Sequence, residues 1–199
     1  MARSVPTGLM SVADFVVWND GTPTRYELVR GAPVAMAPPT PRHTDVVTNL
    51  NDALSPQLKR PCRVAVGGGV ARRETDDQFR IPDAFVTCEP TPSHYYRSPR
   101  VIIEVLSPST EREDRTDKLD FYRSIASVEM VIFIWQDRRR VQTVQRVANR
   151  WSIDDLVGGG TVELPSFSAR VSVDQIYRDL DVPDDEPPTP GAADRRSSG

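Results

Sequence analysis

The chain is nearly without lysine: Lys59 and Lys118 stand against 23 arginines. Histidine is as scarce, with His43 and His94. There are two cysteines, Cys62 and Cys88, and neither has another Cys or a His at ligand spacing. That excludes a Cys-X-X-Cys zinc site, and both read as small buried residues rather than a disulfide. No apolar run approaches the ~20 residues of a membrane span. No basic start followed by an apolar core is visible, so no signal peptide is expected. A reducing, cytoplasmic setting without a membrane follows as the expectation. A basic excess is also missing. Formal net charge is −3, and the segment from Asp181 onward holds five acids and two arginines, which leaves the body balanced. A general positive field of the kind used for tight duplex binding is excluded, so any nucleic-acid contact must rest on local clusters.

What is present is organised around Val101-Ile102-Ile103-Glu104-Val105-Leu106. A short apolar run without polar alternation reads as a strand buried on both faces. Glu104 lies in its middle, and an unpaired buried carboxylate costs several kcal/mol. A cation, a metal or a proton must compensate it. A second acid, Asp83, interrupts another apolar run, Phe79–Cys88. Strand parity puts Ile81, Asp83, Phe85 and Thr87 on one face, and Pro82 marks a strand start or an edge. If the two strands are neighbours, Asp83 and Glu104 face each other with β-carbons about 5 Å apart. A divalent ion would remove the repulsion between them. Mg²⁺, which takes one or two carboxylates with waters and phosphates, suits the pair.

The rest of the chain reads as α+β, verging on α/β, with helices packed on a sheet. Ser11-Val12-Ala13-Asp14 resembles a capped helix start. Residues 25–36 read as two strands around Arg30-Gly31, and residues 42–59 as a helix with Val46, Val47, Leu50, Ala53 and Leu54 on one side. Strands are expected at 63–66, 70–73, 79–88 and 131–135, with Gly67–Gly69 a turn or bulge. A helix is expected at 114–126, a hairpin around 140–151 and a short helix at 174–180. Residues 1–180 form one domain in this reading, with 181–199 a disordered tail.

Lysine is spent sparingly here, so Lys118 is a candidate for work that arginine does poorly: a compact charge with a tunable pKa. The plainer alternative is a surface pair with Asp114, one helical turn earlier. Arg80 and Arg100 are plain partners for Asp83 and Glu104, which would make the domain structural or partner-binding.

Pro82-Asp83, Glu104-Val105-Leu106-Ser107-Pro108-Ser109-Thr110, Asp114-Arg115, Lys118 and Tyr122 together resemble the Uma-two family of endonucleases, within the PD-(D/E)XK nuclease superfamily. Tyr26-Glu27-Leu28 with Gly31, and His43 on the next helix, resemble the family's N-terminal portion. The likeness covers Tyr26 to about Arg146. It implies a restriction-endonuclease-like mixed sheet flanked by helices, a divalent metal (Mg²⁺, with Mn²⁺ able to substitute) and hydrolysis of DNA phosphodiester bonds. By that mapping Asp83 and Glu104 bind the metal and the Val105 carbonyl adds a ligand. The superfamily's usual lysine position is Leu106 here, and Lys118 replaces it from the following helix. Glu27 is either a ligand of a second ion or an exposed strand residue. His43 is either a phosphate or proton-relay group or a helix-start residue. Tyr122 shares the face of Lys118 and reads as core with a satisfied hydroxyl. Arg112 and Arg115 are candidates to meet the DNA backbone. Arg138–Arg140 reads as solvated charge or as a phosphate contact. A homodimer is expected, because cutting both strands of a duplex calls for two symmetry-related sites. The alternative function is a catalytically weak nuclease fold that binds DNA or a partner.

Overall fold

The computed structural model describes residues 8–108 and 114–185. Helix α1 (Val12–Val17) starts at a capping box in which Ser11 and Asp14 satisfy each other's backbone amides. Strands β1 (Tyr26–Val29) and β2 (Ala32–Ala35) pair antiparallel around Arg30 and Gly31, both at positive φ. A Cβ at Gly31 would sit 2.9 Å from Leu9 Cβ, so glycine is required both by its φ and by this close approach.

Helix α2 spans Pro41–Leu54, with Thr40 as N-cap and Pro41 at its first turn. It stops short of Lys59: Pro56 cannot donate to the ladder, and the chain tightens into a 3₁₀ turn over Ser55–Gln57. Strands β3 (Arg63–Val66), β4 (Ala84–Thr87), β5 (Pro99–Leu106), β6 (Met130–Trp135), β7 (Arg140–Val147) and β8 (Arg150–Val157) form one sheet in that order. The β5–β6 ladder is parallel and the others are antiparallel. A parallel pair needs a crossover connection. This one carries a π-helical turn at Asp114–Lys118 and then α3 (Leu119–Arg123), where the sequence pattern suggested one regular helix. A second hairpin, β9 (Thr161–Leu164) with β10 (Ala169–Ser172), leads into α4 (Val173–Ile176).

Two core layers cover the sheet. On one face Ala84, Val86, Val101, Ile103, Val105 and Ile132 pack against Val46, Leu50 and Leu54 of α2 and against the β9–β10–α4 unit. On the other, Phe85, Ile102, Leu106, Val131, Phe133 and Trp135 pack against Leu119, Phe121 and Tyr122. β5 is therefore buried on both faces, as its apolar run implied.

Several expectations are corrected. The 79–88 strand is shortened to β4, because Pro82 ends the ladder on its N-terminal side. Phe79, Arg80 and Val70 make isolated bridges instead of continuous strands. Cys62 and Cys88 are bonded to each other. The Arg63↔Thr87 pairing of β3 with β4 places the two cysteines, one residue further out on each strand, opposite one another. A spacing of 26 residues gives no hint of this, and the argument from free thiols to a reducing compartment falls with it. Residues 181–185, assigned to the tail, lie on the body: Val182 is buried and the Pro183 carbonyl accepts from Arg139 N at 2.8 Å. Residues 186–199 lie outside those described.

Candidate active site

The site forms at the C-terminal end of β5. The last ladder pair between β4 and β5 is Ala84↔Ile103. Asp83 lies in the bend just before β4 and Glu104 follows Ile103 on β5, so the two acids flank that last pair. Glu104 is 2% exposed and lies on the same face as Ile102 and Leu106. Its compensation comes from the crossover. Lys118 Nζ stands 3.3 Å from Glu104 Oε2, and the Tyr122 hydroxyl donates to Oε1 at 2.5 Å. Lys118, at the N-cap of α3, and Tyr122, four residues later within it, both reach the strand from the crossover. The widened turn just before α3 ends at Lys118 itself. Burial and the adjacent Glu104 and Glu27 charges push the Tyr122 phenol well above its ordinary pKa. It is therefore a fixed donor to the carboxylate.

Asp83 is held from two directions. Its Oδ2 accepts from Val105 N at 2.7 Å, and its Oδ1 lies 3.0 Å from His43 Nε2. His43 occupies the first turn of α2, where the Thr40 hydroxyl accepts its backbone amide at 3.2 Å. The helix cap thus aims the imidazole at the acid. His43 is not merely a helix-start residue.

Glu27 is not an exposed strand residue. It is 7% exposed, and its Oε2 receives Arg80 Nη1 at 3.1 Å. Its Oε1 accepts from Ile81 N at 2.8 Å. Glu27 thereby anchors the segment two residues ahead of Asp83. Arg100 bonds Glu129 at 2.7 Å, so the arginines considered as partners for the two acids are engaged with other carboxylates. Arg115 Nη2 donates to Gln142 Oε1 at 3.2 Å and its guanidinium lies 5.6 Å from the Trp135 ring. Arg112 lies outside the described residues. Among the described residues there is no cluster of three or more His, Cys, Asp or Glu side chains set to hold a metal ion. Tyr122 is buried with its hydroxyl satisfied, as expected; the sequence did not show that its partner is Glu104.

A mixed sheet whose one parallel pair is bridged by the crossover that carries the amine is a restriction-endonuclease-like α+β fold. A crystal structure from Anabaena variabilis described as "a putative nuclease belonging to DUF820" matches it with a TM-score of 0.64, over 84% of this chain and 97% of that one, at 19% identity. The chain belongs to the Uma2 family, described as "Putative restriction endonuclease", whose profile it matches over residues 12–175. Two uncharacterized proteins of Synechocystis sp. are also similar. One, slr1290, is 23% identical over 89% of this chain and 96% of its own length; the other, sll1609, is 24% identical over 76% and 90%. No described helix is long and apolar enough to cross a membrane.

Proposed function

We propose that this protein is a metal-dependent endonuclease that hydrolyses DNA phosphodiester bonds. The observation that carries the reading is Glu104: a buried carboxylate on a central strand, one residue past the last β4–β5 ladder pair and bound by an ammonium and a phenol. That grouping makes poor sense as stabilisation alone, since a buried ion pair often contributes less than apolar packing of the same volume.

The donor set fits a hard divalent cation. Asp83 and Glu104 offer carboxylate oxygens, each with lone pairs beyond those taken by the bonds described. Mg²⁺ uses one or two protein carboxylates and completes its shell with water and phosphate oxygens, so two acids are a sufficient protein share. Asp83 and Glu104 would hold the ion, with the Val105 carbonyl as a further ligand and Mn²⁺ able to substitute. Such an ion supplies positive charge that polarises the scissile phosphate.

The chain's own groups do the remaining work. Lys118 carries three donors, so it can remain on Glu104 while stabilising charge that develops on phosphoryl oxygens. Tyr122 fixes the Glu104 rotamer. His43 and Val105 N fix Asp83, and Glu27 with Arg80 secures the chain leading into it. Arg112 and Arg115 are assigned to the DNA backbone next to the crossover. A homodimer belongs to the same reading, as the arrangement that would present two sites to a duplex.

Supercoiled plasmid incubated with the protein and Mn²⁺ or Mg²⁺ should be nicked or linearised. EDTA, Asp83→Ala and Lys118→Ala should each abolish this. Cleavage undiminished in both variants would overturn the proposal. Light scattering at the working concentration tests the dimer.

A further inference from the structure

We infer that the Arg138–Arg140 turn is a second subsite for a phosphodiester backbone, and that the chain's own Asp184 and Asp185 occupy it as an internal anion. This rests on the reading that the substrate is DNA.

The turn is built around Trp135, the 1% exposed residue that ends β6. The Arg138 and Arg140 guanidiniums lie 5.3 and 4.7 Å from its ring, and Arg115 approaches the same ring. Arg139 lies 5.5 Å from the Tyr177 ring. Guanidiniums stacked on aromatic faces are pre-organised, and their planar forks match the oxygens of phosphate or carboxylate. The place is also apt. Leu106 pairs with Trp135 and Glu104 with Phe133 across the parallel ladder. Trp135 is thus one strand over and two residues on from Glu104, about 8 Å between backbones.

The anion now in the subsite comes from the tail. Asp185 lies 3.5 Å from Arg138 Nε and 3.3 Å from Arg140 Nη1, and Asp184 is 3.1 Å from Arg139 Nε. Buried Val182 and the Pro183 carbonyl tie this segment down. Asp137, Asp155 and Asp174 of the body also pair with the turn. The Asp184 side chain is 69% exposed, and ion pairs open to water hold weakly, so a phosphate can displace it.

The test is fluorescence anisotropy of a labelled DNA duplex in EDTA, where cleavage cannot contribute. The full-length D184N/D185N variant should bind several-fold more tightly than the parent at low salt. Its plot of log affinity against log salt should steepen by about one, the signature of about one more phosphate contact. Adding R138Q/R139Q to that variant should remove the gain, and the charge-preserving D184E/D185E should bind like the parent. Equal or weaker binding by D184N/D185N, or a gain that survives R138Q/R139Q, overturns the proposal. Should D184N/D185N lose its cooperative melt, the single D184N variant, at the most exposed of these acids, carries the same comparison. Plasmid cleavage judges the nuclease reading and this experiment reads binding without metal, so either can fail alone.

Discussion

The Tyr122 hydroxyl donates to Glu104 Oε1 at 2.5 Å, with the phenol fully buried and the carboxylate nearly so. Tyr122→Phe keeps the ring and removes the donor. Leaving a buried carboxylate oxygen short of a partner costs about 1–3 kcal/mol, to be read as a lowered urea midpoint at unchanged m-value. Glu104 is a metal ligand in the proposed function, and groups that orient such a ligand typically contribute about 10–100-fold, so Mn²⁺-dependent cleavage should fall by that amount. Full activity in a destabilised Tyr122→Phe protein would show that the phenol serves the core alone.

The alkaline limit follows from the same phenol and a second one. Tyr177 is also pushed above its ordinary pKa, chiefly by burial; its hydroxyl donates to the backbone carbonyls of Trp135 and Arg140. Each phenol keeps its proton longer in the folded chain than in the unfolded one. Stability is therefore full below about pH 10, the unfolded phenol value, and is lost as pH rises above it. Phenolate absorbance from these two residues should appear together with the unfolding transition. Its appearance in a chain still folded by circular dichroism would refute the assignment.

His43→Ala removes one of the two groups that hold Asp83 while leaving the Thr40 cap in place. Calorimetric Mn²⁺ affinity or the cleavage rate should drop by about 10–100-fold. His43→Gln, able to donate from a similar position, should recover part of the loss. No change in either quantity would leave the imidazole with a packing role.

The Glu27–Arg80 pair is buried at both ends. Removing one partner strands the other: Glu27→Ala should cost about 3–5 kcal/mol. Replacing both, as in E27L/R80M, should cost much less than the sum of the singles. A thermodynamic cycle measures this directly, and strict additivity would show that the ion pair is not coupled.

Much of the fold was legible because its signals are local. The unbroken apolar run at 101–106 announced a doubly buried strand, Arg30-Gly31 announced the β1–β2 turn, and Ser11 with Asp14 announced α1. The neighbourhood of β4 and β5, which brings Asp83 and Glu104 to the same end of the sheet, was legible from the two apolar runs that carry the acids. What stayed hidden depends on long-range register or on the crossover's irregular winding. Glu27 finds Arg80 from 53 residues away, and Cys62 finds Cys88 only because β3 and β4 align. The β9–β10 hairpin was missed although Val162, Leu164, Ala169 and Val171 alternate with exposed positions as a half-buried strand should, because each strand is only 4 residues long.

The amine that meets Glu104 rides on the crossover, not on the strand beside it. A lysine two places along β5 would have been locked wherever the sheet is intact. Here the proposed site is complete only while the segment from Asp114 to Arg123 is seated against β5. Fraying of that single short segment would silence the proposed activity with the sheet undisturbed. Amide exchange at Leu119–Arg123 should therefore track loss of cleavage under mild denaturation, ahead of any exchange in β5 or β6.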